Sequence, residues 1–239
     1  MSSCMESKYP GSELNVFKGA RNWKKYWSSS IRSYVRGTVL EVGGGIGTNV
    51  PYIAHEQVTS ITLLEPDQEL WQRAQTETPA LSSGIPVDAR HGSIHSLGDT
   101  SQYRTIMYID VVEHIEKDQE EIAEAARHLF AGGHLIVLVP AYNFLYSEFD
   151  KAIGHYRRYS RATLSALHPP GCELVRIRNL DSVGLLASLV NKLFLKQSVP
   201  TEAQISLWDR VLVRTSTMLD PLTGFLAGKT LVAVWRKLP

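Results

Sequence analysis

The chain has 239 residues, 44% of them hydrophobic and 21% charged, with a formal net charge of +1. That length and balance suit one α/β domain with a full core and exclude a disordered or fibrous chain. The near-neutral charge leaves no basic footprint, which weighs against a nucleic-acid substrate without excluding one.

Only Cys4 and Cys172 are present, so no disulfide framework or zinc ribbon is on offer. The opening MSSCMESKYPGSEL lacks the charged start and apolar stretch of a signal peptide. No apolar run reaches the roughly 18 residues of a spanning helix. The expectation is a cytoplasmic protein with no membrane span.

In chain order, Ser12 to about Val35 reads as a helix, with Val16, Trp23, Trp27 and Ile31 near i, i+4 spacing. A strand at Thr38–Val42 runs straight into glycines. Val58–Leu64 is a second strand, ending at Glu65-Pro66, and a helix covers about Asp67 to Gln75. Val87–His91 and Thr105–Ile109 are further strands. Glu116 to Phe130 reads as a helix stopped by Gly132-Gly133, and His134–Val139 is the most apolar strand of all. Continuous apolar strands separated by helices imply a parallel sheet covered on both faces.

After Pro140 comes a long aromatic-rich connection at 141–159, then a short helix capped by Ser160 and reaching Leu167. Cys172–Ile177 reads as the sixth strand. Helices at about Val183–Phe194 and Glu202–Met218 precede a last strand at Thr230–Trp235. The expectation is a three-layer α/β sandwich on a seven-stranded, mostly parallel sheet. Residues 1–36 form a helical cap over the ligand site, and 37–239 form the core with a helical insertion at about 181–220.

The segment Glu41-Val42-Gly43-Gly44-Gly45-Ile46-Gly47 carries most of the chemistry. Open α/β sheets bind ligands at the carboxyl ends of their strands, where glycines let the backbone turn tightly and approach closely. The dinucleotide fingerprint fails, because its third glycine falls on Thr48, and no Gly-Lys-Ser/Thr follows for a phosphate loop. What stands is acidic-x-Gly-x-Gly-x-Gly. This resembles the first motif of class I S-adenosylmethionine-dependent methyltransferases, whose Rossmann-like sheet is the fold expected here. The alternative for the loop by itself is a tight turn with no ligand.

The resemblance implies roles for particular residues. Glu41, Gly43, Gly44, Gly45 and Gly47 would wrap the methionine part of S-adenosyl-L-methionine, the product being S-adenosyl-L-homocysteine. Glu65, with Pro66 beside it, stands about 20 residues on, where a carboxylate accepts both ribose hydroxyls. Asp67 suits a helix N-terminus better than Glu65 does. Ser93 and Ile94 stand where the family holds its adenine. Asp110 and Val111 follow the fourth strand in Asp-x-x-Glu-His, a pattern common in small-molecule methyltransferases.

Methyl transfer from a sulfonium is an in-line displacement, so the protein mainly positions the acceptor. A base is needed only if the acceptor loses a proton. His114 is the first candidate, with a packing role as its alternative; His155 is the second. The segment Gly154-His155-Tyr156-Arg157-Arg158-Tyr159, with Tyr146 upstream, is richer in reactive groups than a connector requires. Tyr146, Tyr156 and Arg157 are therefore candidate acceptor contacts, unless Arg157 and Arg158 pair with Glu148 and Asp150 to pin the loop. His91 and His95 lack a third ligand, and no metal is assigned. Trp23 and Trp27 pack the first helix over the pocket.

The leucines after residue 180 (Leu185, Leu186, Leu189, Leu193) and Val190 cover the pocket, form a homodimer face, or touch a membrane, in that order of preference. The expected activity is methyl transfer to a small-molecule acceptor, aromatic or a secondary metabolite. Methylation of a protein or nucleic acid, and a cofactor-binding module without catalysis, stand as alternatives.

Overall fold

The computed structural model describes residues 19–78, 81, 84–195 and 201–239. Seven strands, β1 (Gly37–Val42), β2 (Val58–Glu65), β3 (Val87–His91), β4 (Tyr103–Ile109), β5 (Leu129–Pro140), β6 (Cys172–Leu180) and β7 (Thr230–Lys237), form one sheet. Its order is β3-β2-β1-β4-β5-β7-β6. The first five strands run parallel, and β7 is antiparallel to both β5 and β6. Progression reverses between β1 and β4, which makes the carboxyl ends of these strands the crevice of the sheet.

Alternate residues of each strand feed opposite layers. Val39, Ile61, Met107, Ile136 and Val234 pack on one face with Trp23, Tyr26, Trp27 and Ile31 of helix α1 (Arg21–Ile31). Leu40, Leu64, Ile106, Val137 and Trp235 pack on the other with Ile122, Ala125 and Ala126 of α4 (Asp118–Arg127). Trp27 and Trp235 are almost completely enclosed. Full burial of such side chains contributes on the order of 2–3 kcal/mol each, so the sheet core dominates the fold's stability. Shorter helices α2 (Val50–Ile53) and α3 (Gln68–Glu77) follow β1 and β2, while α5 (Glu148–Ala152) and α6 (Arg161–Ser165) follow β5.

The expected three-layer sandwich is the architecture observed. Several element bounds differ. The helix expected at Glu116–Phe130 ends at Arg127, and β5 begins at Leu129. Leu129 already pairs with Tyr103, whose N–H donates to the His128 carbonyl, so the chain is extended before the glycines arrive. Strand β6 continues to Leu180, because it pairs with β7 along its whole length. The first helix is described only from Arg21; the part expected at residues 12–18 lies outside the described residues.

Between β6 and β7 lie α7 (Ser182–Val190), α8 (Glu202–Leu207) and α9 (Val213–Leu222). A π-helical turn at Trp208–Leu212 joins the last two. Trp208 and Asp209 are consecutive yet both buried: Trp208 donates to Asp181 at 2.6 Å, and Asp209 accepts the Trp23 N–H at 2.8 Å. Asp209 thus caps α1 from a distant part of the chain, which supplies the acceptor that Ala20 lacks. Leu186, Val190 and Leu193, expected among the pocket cover, are exposed. Gly184 of α7 is the buried position, held under the Asp181 carboxylate, so the leucine stripe turns outward. Among the described residues no helix is long and apolar enough to cross a membrane.

Candidate active site

The loop after β1 is shaped by three glycines with positive φ, Gly43 (67°), Gly45 (53°) and Gly47 (76°). A Cβ on Gly43 would come 2.7 Å from Val111, and one on Gly47 would come 2.1 Å from Thr78. Only glycine meets both the conformation and the space at these two positions. The Gly43 and Gly44 N–H groups donate to the Leu64 carbonyl, which ties the loop to the end of β2.

Two buried carboxylates flank the loop. Glu65 accepts the Gly45 N–H at 2.8 Å and the Asp67 N–H at 2.9 Å. Burial raises its pKa despite those bonds. Glu41 accepts from the Asn49 side-chain amide at 2.7 Å through one oxygen, and its other oxygen has no hydrogen-bond partner among the described residues. Burial pushes the Glu41 pKa up to about 7, with Asn49 and Lys24 pulling it back. Lys24 reaches this corner from α1 and donates to the Thr48 hydroxyl.

Asp110 closes β4 in the left-handed region (φ 55°), its N–H donating to the Leu138 carbonyl. It stays exposed at the carboxyl end of β4, and desolvation by the surrounding protein pushes its pKa up to about 6 against the pull of His155, Lys229 and Lys24. A 3₁₀ turn at Val112–His114 follows. Glu113 is fully buried, and neither carboxylate oxygen finds a hydrogen bond among the described residues. The His114 and His155 rings meet edge to face, 4.5 Å between centroids. Desolvation pulls the His114 pKa down to about 4, helped by His155.

The connection after β5 is braced from within. Asp150 accepts from His155 Nδ1 at 2.9 Å, from Arg158 Nε and Nη2 at 2.8 and 2.9 Å, and from Ser147. Burial alone would raise its pKa, but His155 and Arg158 hold it well below the usual carboxylate range. The Tyr156 N–H donates to the Glu113 carbonyl at 2.8 Å, stapling this loop to the turn after β4.

Glu41, the glycines, Glu65, Asp110, Val111, His114 and His155 all gather at the carboxyl end of the sheet. Asp67 caps α3 by accepting the Leu70 N–H, as its spacing predicts. Pro66 is exposed, its carbonyl accepting from His91 Nε2, while Ser93 is half-buried and Ile94 fully buried behind β2. The hydroxyl of Tyr146 donates to the His155 carbonyl at 2.6 Å, and Tyr156 is exposed. Arg157 binds the Ile115 and Glu116 carbonyls and pairs with Asp118. The loop's pinning partners are thus Asp118 for Arg157 and Asp150 for Arg158. Sequence reasoning passed over Lys24 and Lys229, since nothing local distinguishes them from surface lysines, and gave Glu113 no role although it is the Glu of Asp-x-x-Glu-His.

A methyltransferase-domain family model matches residues 20–183. No curated protein matches the chain. Among solved structures, a chain from the complex of the Haloferax volcanii Trm112 methyltransferase activator with a methyltransferase is 16% identical, covers all of both chains and superposes with a TM-score of 0.64. An S-adenosylmethionine-dependent methyltransferase from Clostridium acetobutylicum is 9% identical over 95% of this chain and 96% of its own, TM-score 0.58. A proposed sarcosine dimethylglycine methyltransferase from Galdieria sulphuraria is 17% identical over 90% and 84%, TM-score 0.57. At such identities these likenesses speak for the fold, and the family match covers most of the chain. The chain belongs to the methyltransferase-domain family, among the class I S-adenosylmethionine-dependent methyltransferases.

Proposed function

We propose that the chain transfers a methyl group to a small-molecule acceptor at the mouth bounded by Asp110, His114 and His155. One observation carries the reading: two buried carboxylates flank a loop of three positive-φ glycines at the switch point, with Asp110 across from them. These residues fit the cofactor. The Glu41 oxygen that has no hydrogen-bond partner among the described residues suits a cationic amino group. When bound, S-adenosyl-L-methionine supplies a methyl activated by its sulfonium charge.

The chain's own residues then bind and orient. Glu65 takes the ribose hydroxyls, Asp110 and Val111 border the reacting end, and Ser93 and Ile94 flank the adenine. Helix α1 serves as the cap over this side, with Lys24 beside Glu41 and Thr48. The imidazole pair faces the acceptor, and His155, oriented by Asp150, is the group placed to act on its proton. His114, held neutral by desolvation, is the weaker base. Arg157 and Arg158 are both spent on internal carboxylates, so the loop presents no free guanidinium to a phosphate backbone. That favours a small acceptor over a nucleic acid.

A partner-dependent enzyme is the second reading. The Haloferax volcanii relative is solved with the Trm112 activator, and exposed Leu186, Val190, Met218 and Leu222 offer an apolar face here. It would show as cofactor binding that needs an added protein. Calorimetry with S-adenosylmethionine and S-adenosylhomocysteine tests the main reading. Binding in the micromolar range is expected, weakened about tenfold or more in Glu65→Ala. No binding at millimolar ligand would overturn it.

A further inference from the structure

We propose that Glu113, His114 and His155 form a binding site for a divalent transition-metal cation. Each residue offers one ligand atom, and the three atoms lie within 4.8 Å of one another. Donors held about 2.0–2.2 Å from one zinc ion stand roughly 3.4 Å apart, so an ion would draw these three side chains slightly together, His155 Nε2 and Glu113 being 3.8 Å apart without it.

Three observations support a built site. Glu113 is a fully enclosed carboxylate with no hydrogen bond to either oxygen among the described residues; its nearest cationic candidate, His155 Nε2, is 3.8 Å away. A buried bare carboxylate is costly, and metal coordination is one of the few ways to satisfy it. His155 Nδ1 is engaged by Asp150 at 2.9 Å, which fixes the ring with Nε2 toward Glu113. Metal-ligating histidines carry this kind of outer carboxylate, which sets tautomer and orientation. Asp150 is in turn gripped by Arg158 and Ser147, so the support is rigid.

The chain builds the cluster from two elements. The turn after Asp110 presents Glu113 and His114 in succession, and the Tyr156 N–H bond to the Glu113 carbonyl brings His155 alongside. Two imidazoles and one carboxylate suit zinc, manganese, iron(II) or cobalt(II) better than calcium or magnesium, which prefer all-oxygen shells. Three protein ligands leave a position open for water or an acceptor atom.

Resting on the methyl-transfer reading, this narrows the acceptor to an oxygen nucleophile such as a phenol or an alcohol, and with the cation bound His155 acts as its ligand instead of as the base. The cation would bind the acceptor hydroxyl and ease loss of its proton to water. The oxygen then forms its bond to the methyl carbon as the carbon–sulfur bond breaks, and neutral S-adenosylhomocysteine leaves.

The test uses full-length protein without a histidine tag, stripped with EDTA. Zn²⁺ and Mn²⁺ are titrated by calorimetry, Co²⁺ by its visible absorption, and S-adenosylhomocysteine binding is measured in parallel. One equivalent of metal per chain is expected, weakened about tenfold or more in Glu113→Gln and His155→Asn. In both variants S-adenosylhomocysteine affinity should change by less than about threefold. Glu113→Gln should fold, because a neutral amide replaces a carboxyl whose ionisation burial already opposes; this variant decides if His155→Asn does not fold. The proposal is overturned if no cation binds saturably, or if Glu113→Gln binds metal as wild type does. Loss of S-adenosylhomocysteine binding in wild type with metal binding intact would instead sink the methyl-transfer reading.

Discussion

Replacing Glu41 by glutamine should stabilise the free protein near neutral pH while weakening cofactor binding. The side chain is almost wholly buried, one oxygen bonded to Asn49 and the other unpartnered among the described residues. Desolvation raises its pKa from 4.5 to about 7. A group whose folded pKa is raised binds its proton more tightly when folded, so stability falls as pH rises between the two values and levels off above the folded one. At 1.36 kcal/mol per unit, ionised Glu41 costs the fold about 3 kcal/mol at about pH 8. Glutamine keeps the acceptor for Asn49 and carries no charge, so it recovers most of that cost. At about pH 4 wild type is itself protonated in the fold, and the gain shrinks to about a few tenths of a kcal/mol. Urea unfolding followed by tryptophan fluorescence at both pH values measures this. Calorimetry on the same variant should show S-adenosylhomocysteine affinity reduced about tenfold, since the amino group loses its counter-charge. A gain equal at both pH values, or a loss at the higher one, would refute the account of Glu41 as an uncompensated buried charge held for the ligand.

Two further substitutions probe the scaffold. Gly43→Val combines a positive φ with a Cβ 2.7 Å from Val111, so it should cost about 2 kcal/mol or more in urea and abolish cofactor binding; an unchanged midpoint would sink this. Asp150→Asn should destabilise by about 3 kcal/mol at neutral pH, because Arg158 loses its buried partner. The Asp150 pKa is depressed, so the wild type's advantage is present above the unfolded carboxylate range and disappears as pH falls through the lower folded value. A wild-type advantage that persisted unchanged into strong acid would contradict that linkage.

Much of the fold could be read along the chain because the signals are local. Apolar strands ending in Glu41-x-Gly and Glu65-Pro66 name both their own burial and the edge where a ligand sits. Gly43 and Gly47 were legible for the same reason, since a strand-to-helix turn of this tightness admits few other residues. Ser160 and Asp67 cap helices where short-range spacing puts them. The bound of α4 at Arg127 was not legible, because strand pairing of Leu129 with Tyr103 overrides helical propensity there.

Sequence alone thus determined the layer order, the glycine loop and the acidic residues at the ends of β1 and β2, all matters of periodicity and spacing within a few residues. Only the tertiary structure decided what the loop after β5 does. Its arginines turn inward to Asp118 and Asp150, and His155 meets Glu113 and His114 across about forty residues of chain. Such meetings depend on long-range backbone bonds like that from Tyr156 to Glu113, and on the burial that strips Glu113 of water. Neither a pair's distance nor a carboxylate's solvation is encoded in the residues next to it, so both come into being only when the sheet closes.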